Sequence, residues 1–210
     1  PDVRFIWLGS INKWIIPRKI RNLVLFNHPK NVEFPGYFKG SVFEGAMSGS
    51  SLFFFPSYEE TEGIVVLEAL ASHQHVVLRD IPVYEGWIDE QSAELGHNVD
   101  EFVDSIQKIL DGKVDKREAG YKVAQSRSID DVAYKLGYRI NKAAGLGRYI
   151  EMMLPDGSDK IVIKNPQDKA HQTYFRHNGQ KGGDVVSFVL EHLNQFNHRS
   201  SNQWAAVTEI

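Results

Sequence analysis

Three apolar blocks in the middle of the chain constrain its fold more than any other feature. Leu52–Phe55 (LFFF) and Val76–Leu78 (VVL) are of strand length, and Ile64–Ser72 between them is of helix length and apolar on nearly every side. A helix without a polar face has to be covered all round. Short, continuous apolar strands are what a parallel sheet buries on both faces. The order strand, helix, strand therefore predicts a βαβ unit. Val3–Gly9 (VRFIWLG) adds a buried strand closed by a glycine turn, and Val32–Phe34 a short one before Pro35-Gly36. Val99–Leu110 has apolar residues at helical spacing and ends at Asp111-Gly112, a usual helix stop. Strands alternating with helices predict an α/β fold with a Rossmann-like parallel sheet. Such sheets bind ligands beyond the carboxyl ends of their strands.

Composition narrows the chemistry. Of the 210 residues, 42% are hydrophobic and 24% charged, as in ordinary globular proteins, and the net charge of -3 argues against a polyanion binder as a whole. There is no cysteine, which excludes disulfides, thiolate catalysis and Cys-based zinc or iron-sulfur sites. The longest apolar runs are too short to span a bilayer. The first residues, Pro-Asp-Val-Arg, lead straight into a strand, so the chain is expected to begin inside a longer fold. Between Lys13 and Lys30 five basic residues and no acid surround Trp14 and Ile15. This stretch is read as a solvated basic helix face, in preference to a phosphate site or an anionic-membrane patch.

The stretch with chemical content is Pro56–Ala71, PSYEETEGIVVLEALA. A buried strand delivers the chain to a turn holding Glu59, Glu60 and Glu62, and Gly63 opens the apolar helix. Unpaired N–H groups and a partial positive charge at a helix start suit a phosphate. Gly63 lacks a Cβ and would let a diphosphate approach the backbone. Glu68 is the one charged residue among Ile64, Val65, Val66, Leu67, Ala69, Leu70 and Ala71. A buried carboxylate needs a strong hydrogen-bonding partner, and two adjacent ribose hydroxyls would serve. The bland alternative makes Glu68 the cap of a neighbouring loop and Glu59–Glu62 solvated turn residues.

Glu60 and Glu68, with seven residues between them and Gly63 among those seven, resemble the E-x7-E signature of family-4 glycosyltransferases of the GT-B fold. The strand ending at Pro56-Ser57, Glu68-Ala69-Leu70-Ala71 and the following VVLRDIP extend the resemblance over roughly residues 1–125, within a domain that runs to about 130. The wording is most like that of Gram-positive enzymes that glucosylate diacylglycerol. The resemblance implies a retaining hexosyltransferase with UDP-glucose as donor and no further cofactor. It implies that Glu60 is the catalytic carboxylate on the donor sugar. Gly63, Ile64 and Val65 would offer N–H groups to the diphosphate, Glu68 would hold the ribose, and Phe34 to Gly36 would lie near the base. It further implies a membrane lipid acceptor, a preceding acceptor-binding domain and a place in the cytoplasm, at the inner face of the membrane. Family members carry an Arg and a Lys after the first strand of this half, ahead of where this sequence starts. Without them donor binding is expected to be ~3–6 kcal/mol weaker, at ~1.5–3 kcal/mol per charge-assisted bond.

From about residue 131 the character changes. Arg148–Met153, Lys160–Lys164 and Gln172–Phe175 read as short strands and Asp184–Phe196 as a helix, a small α+β domain over 131–210. The stretch DKIVIKNPQDKAHQTYFRHNGQKGGDVVSFVLEHLNQF resembles the zinc-ribbon domain of DnaG-type primases. The metal-ligand positions fall at Glu151, Leu154, Arg176 and Gly179, so no zinc is expected. Nucleic-acid binding through Lys160, Lys164, Lys169, Arg176, Lys181, Tyr174 and Phe175 is the competing function. Acids interspersed in the same segment favour a structural appendage instead. The unit is small enough to need support from the first domain.

Overall fold

The computed structural model describes residues 3–12, 14–38, 40–143, 147–177, 182–195 and 204–209. The first part alternates as read from sequence: β1 (Val3–Leu8), α1 (Arg18–Phe26), β2 (Val32–Gly36), α2 (Ser41–Gly49), β3 (Leu52–Phe55), α3 (Ile64–Ala71), β4 (Val76–Arg79) and β5 (Glu94–Gly96). Three helices follow, α4 (Val99–Leu110), α5 (Arg117–Gln125) and α6 (Ile129–Lys135). β1 and β2 pair in parallel, as do β3 with β4 and β4 with β5.

A strand from the far end of the chain joins the two groups. β10 (Trp204–Glu209) lies antiparallel between β1 and β3, and the six-stranded order is β2-β1-β10-β3-β4-β5. The chain winds outward in one direction through β1 and β2 and in the other through β3, β4 and β5. The place where the winding reverses is the slot that β10 fills, and the carboxyl edge beside such a slot is where α/β sheets take ligands.

Both faces of the sheet are covered around β3 and β4. α4 closes one face through Phe102, Ile106 and Ile109 against Leu52 and Val77. Asn98 caps this helix by accepting from the Glu101 N–H, and Glu101 accepts back from the His97 N–H, so two orphan donors are satisfied. α3 covers the other face and all eight of its residues are buried. By contrast α1 buries none of its residues, and Trp14 and Phe26 are 89% and 76% exposed.

β6 (Arg139–Ala143), β7 (Tyr149–Met153), β8 (Lys160–Lys164) and β9 (Thr173–Phe175) form a separate antiparallel sheet of four strands in sequence order. α7 (Val185–Gln195) packs on this sheet and against α2, α3, α5 and α6. One apolar cluster therefore runs from Val66 and Leu70 of α3 through Phe188 and Val189 of α7 to Ile161, Ile163 and Tyr174. α7 is thus the element that packs the small unit against the larger one.

At the centre of the small unit is a buried ionic network. The Arg176 guanidinium donates two bonds to Asp159, at 2.8 and 2.9 Å, and one to Glu191 at 2.7 Å. Tyr138 donates its hydroxyl to Asp159 at 2.5 Å, and Tyr174 donates to Glu191. Two of the side chains expected to offer a nucleic-acid surface are thus interior: Arg176 is neutralised by two carboxylates and Tyr174 is buried. Lys160 and Lys169 lie near Glu151 and Asp131, at 3.5 and 3.6 Å, and Lys181 lies outside the described residues. Lys164 is exposed, with its ammonium 5.3 Å from the centroid of the Phe175 ring. Gly179 of the expected metal quartet is likewise outside the described residues. Among those described, no three His, Asp or Glu side chains converge as metal ligands.

Candidate functional site at the carboxyl edge of the sheet

The turn after β3 and the turn after β4 face each other at the carboxyl edge. Between them lies a cavity of about 520 Å³ lined by Tyr58, Glu59, Glu60, Thr61, Ile81, Pro82 and Val83. The acidic turn is held by its own atoms. Glu60 Oε1 accepts from the N–H groups of Thr61 and Glu62 at 2.8 and 3.2 Å, and Ser57 Oγ donates to the Glu59 carbonyl at 2.7 Å.

Arg79, the last residue of β4, ties this edge together. Its Nε donates to the Pro56 carbonyl at 3.0 Å and its Nη1 to the His97 carbonyl at 2.5 Å. The guanidinium also lies 3.9 Å from the centroid of the Tyr58 ring. One side chain thus fixes the exits of β3 and β5 and the aromatic wall of the cavity. The sequence pointed to RDIP as part of a pattern but gave Arg79 no role, since its partners lie in other loops.

Gly63 begins α3 at φ +67°, a left-handed conformation that favours glycine. A Cβ at this position would sit 2.9 Å from the Trp87 indole and 3.4 Å from the Tyr84 ring. The space expected for an approaching diphosphate on that side is filled by two aromatic rings, so the glycine is needed for its backbone and for the indole. The Tyr84 hydroxyl is buried and has no hydrogen-bond partner among the described residues. Burial pushes this phenol's pKa upward, and the charge of Glu60 adds to the rise, so the group remains a donor.

Of the residues expected to act together, Glu60, Gly63, Ile64, Val65 and Glu68 share one strand-turn-helix unit. Glu60 lines the cavity, while Glu68, 2% exposed, stands outside that lining within the helix layer. Phe34 and Gly36 belong to the edge strand β2, three strands from β3, or roughly 14 Å at ordinary strand spacing. Phe34 contacts the rings of Trp7 and His28, with centroids at 6.5 and 5.5 Å. It lines no part of the cavity beside Glu60.

Residues 18–127 match the family described as "Glycosyl transferases group 1". The chain belongs to that family. It is 50% identical over 134 residues to a processive diacylglycerol alpha-glucosyltransferase of Acholeplasma laidlawii, a match that covers 63% of this chain and 40% of that protein. It is 30% identical over 87 residues to an alpha-galactosylglucosyldiacylglycerol synthase of Streptococcus pneumoniae, covering 40% of this chain and 23% of the relative. The chain therefore spans less than half the length of either relative. As a group 1 glycosyltransferase sequence its α/β sheet is the expected architecture, and the matched residues contain the whole of the acidic turn and α3. No helix among the described residues is long and apolar enough to cross a membrane.

Proposed function

We propose that this chain carries the donor-binding part of a retaining glycosyltransferase that moves a hexose, glucose from UDP-glucose, onto a glycolipid acceptor at a membrane surface. The observation that carries the reading is the placement of Glu60 on a cavity at the carboxyl edge, eight residues before a carboxylate buried in the helix that Gly63 opens. In the reaction the bond between the anomeric carbon and the donor diphosphate breaks, and the diphosphate leaves with the bonding electrons. The acceptor hydroxyl oxygen bonds to that carbon and passes its proton to the departing diphosphate. Within this scheme Glu60 faces the sugar, the N–H groups at the start of α3 face the departing diphosphate, and Glu68 holds the ribose. The names of both relatives, a diacylglycerol alpha-glucosyltransferase and an alpha-galactosylglucosyldiacylglycerol synthase, support a glycolipid acceptor. The acceptor itself would be bound by a further domain.

Titration calorimetry with UDP tests the reading. Binding by the chain, lost in Glu68→Ala with the fold intact, is the expected result. Equal binding of UDP by Glu68→Ala, or a preference for ADP or GDP over UDP, would overturn it.

A further inference from the structure

Beside the start of α3 the structure brings together two cations that nothing in the sequence connects. Lys135, the last residue of α6, donates from Nζ to the Glu62 carbonyl at 3.2 Å, immediately before Gly63. The same ammonium lies 5.8 Å from the Trp87 ring, and the Arg127 guanidinium lies 5.0 Å from it. Trp87 is the indole that fills the Cβ space of Gly63. Its Nε1 is used in a bond to the Val83 carbonyl at 2.8 Å, so the ring is fixed between cavity wall and cations.

The electrostatics of this cluster are those of an anion site. No ion pair joins Lys135 or Arg127 to a carboxylate among the described residues, although Asp131 acts on both cations, and Glu62 on Lys135, at longer range. Burial lowers the Lys135 pKa, and repulsion from Arg127 lowers it further. Two like charges held around one ring, at the positive end of a helix, lower each other's stability until an anion joins them. The buried Tyr84 hydroxyl, packed on Gly63 and lacking a partner, is a donor left over at the same helix start. A buried donor left unsatisfied costs about 1–3 kcal/mol, and a ligand oxygen would remove that cost.

We propose that Lys135 and Arg127 form the cationic wall of the donor site and neutralise the diphosphate of a nucleoside diphosphate, with the Tyr84 hydroxyl as an additional donor. The inference rests on the donor-binding reading above. It assigns to α6 and the turn before it a task that otherwise falls to α3 alone.

The test is calorimetric titration of the full chain with uridine, UDP and inorganic pyrophosphate. Five variants are compared: Lys135→Ala, Lys135→Arg, the double variant Lys135→Ala/Arg127→Ala, Tyr84→Phe and Glu68→Ala. Thermal melting confirms that each is folded. The double variant is expected to bind UDP at least about tenfold more weakly, with uridine binding unchanged and a shallower dependence on salt. Lys135→Arg is expected to restore UDP binding, and Tyr84→Phe to weaken it a few-fold. UDP binding lost in Glu68→Ala but unchanged in the double variant would overturn the inference and leave the donor-binding reading standing. Pyrophosphate binding that depends on Lys135 and Arg127, without any contribution from uridine or Glu68, would sustain the cation site and overturn that reading. Failure of the folded wild-type chain to bind either UDP or pyrophosphate would overturn both.

Discussion

At the scale of single residues, the site is built by side chains whose partners are remote in sequence. Gly63 carries two constraints at once, a left-handed φ and an indole in van der Waals contact. Gly63→Ala is expected to destabilise the fold by about 1–3 kcal/mol, from backbone strain and the displaced Trp87, read as a lower midpoint in urea denaturation. Arg79 reaches the carbonyls of Pro56 and His97 together, which a shorter or single-point donor cannot do. Arg79→Ala is expected to raise amide hydrogen exchange across 57–62 with β3 and β4 still protected; unchanged exchange there would deny Arg79 its tie. Glu68 stands out in sequence because an acid within an apolar helix is conspicuous by cost alone, whereas Glu60, in a turn with two other acids, is singled out only by its spacing from Glu68. Tyr84, Trp87 and Lys135 do not stand out. Each looks ordinary in its own stretch, and only the packing of loop on helix brings them to Gly63.

At the scale of elements, the apolar runs that the sequence made visible became β3, α3, β4 and α4 with ends shifted by a residue or less. The elements it hid are those whose local signals are weak. α2 holds a glycine in its interior, and β5 is only three residues long. In α5, Gly120 lies so close under Leu70 that a Cβ there would be 2.7 Å from it, so the residue that lowers helix propensity is the one packing requires. In the small unit the sequence offers Arg176, just beyond a short strand, as one contact of the competing nucleic-acid surface. The two carboxylates around Arg176 come from β8's approach and α7, which a strand pattern does not encode. Arg176→Ala is expected to cost about 3–5 kcal/mol, since Asp159 and Glu191 would remain buried without their cation. The same network sets a pH dependence. Burial raises the Asp159 pKa, but bonds from Arg176 and Tyr138 more than offset this and hold it below its usual value. The folded state then keeps this carboxylate ionised where the unfolded chain protonates it. Its contribution is full above about pH 4 and is lost as pH falls through the lowered folded value. Urea titrations at pH 7 and pH 3 are expected to show that loss in the wild type, and a smaller one in Arg176→Ala.

At the scale of the whole molecule, the parallel α/β plan was legible from alternation, whereas the partner in its central slot was not. WAAVTE is short and weakly patterned, and nothing local specifies that it should pair with VRFIWL from the other end of the chain. The consequence is one of timing. Until β10 arrives, β1-β2 and β3-β4-β5 are two half-sheets with open edges, and the strand that joins them lies about 150 residues beyond β3 in sequence. Long-range pairing of this kind slows folding, and waiting edges invite pairing with other chains. Refolding is therefore expected to show a slow phase sensed by amides of Phe5–Leu8 and Leu52–Phe55, absent from β7 and β8, with a yield that falls as protein concentration rises. A variant without 204–209 should lose protection at those two strands first, and pulse-labelled hydrogen exchange would reveal it. Uniform protection along the sheet in that variant would mean that the halves need no clasp. The molecule's assembly clock, on this account, runs until Trp204–Glu209 has found Val3–Leu8 across some two hundred residues of intervening chain.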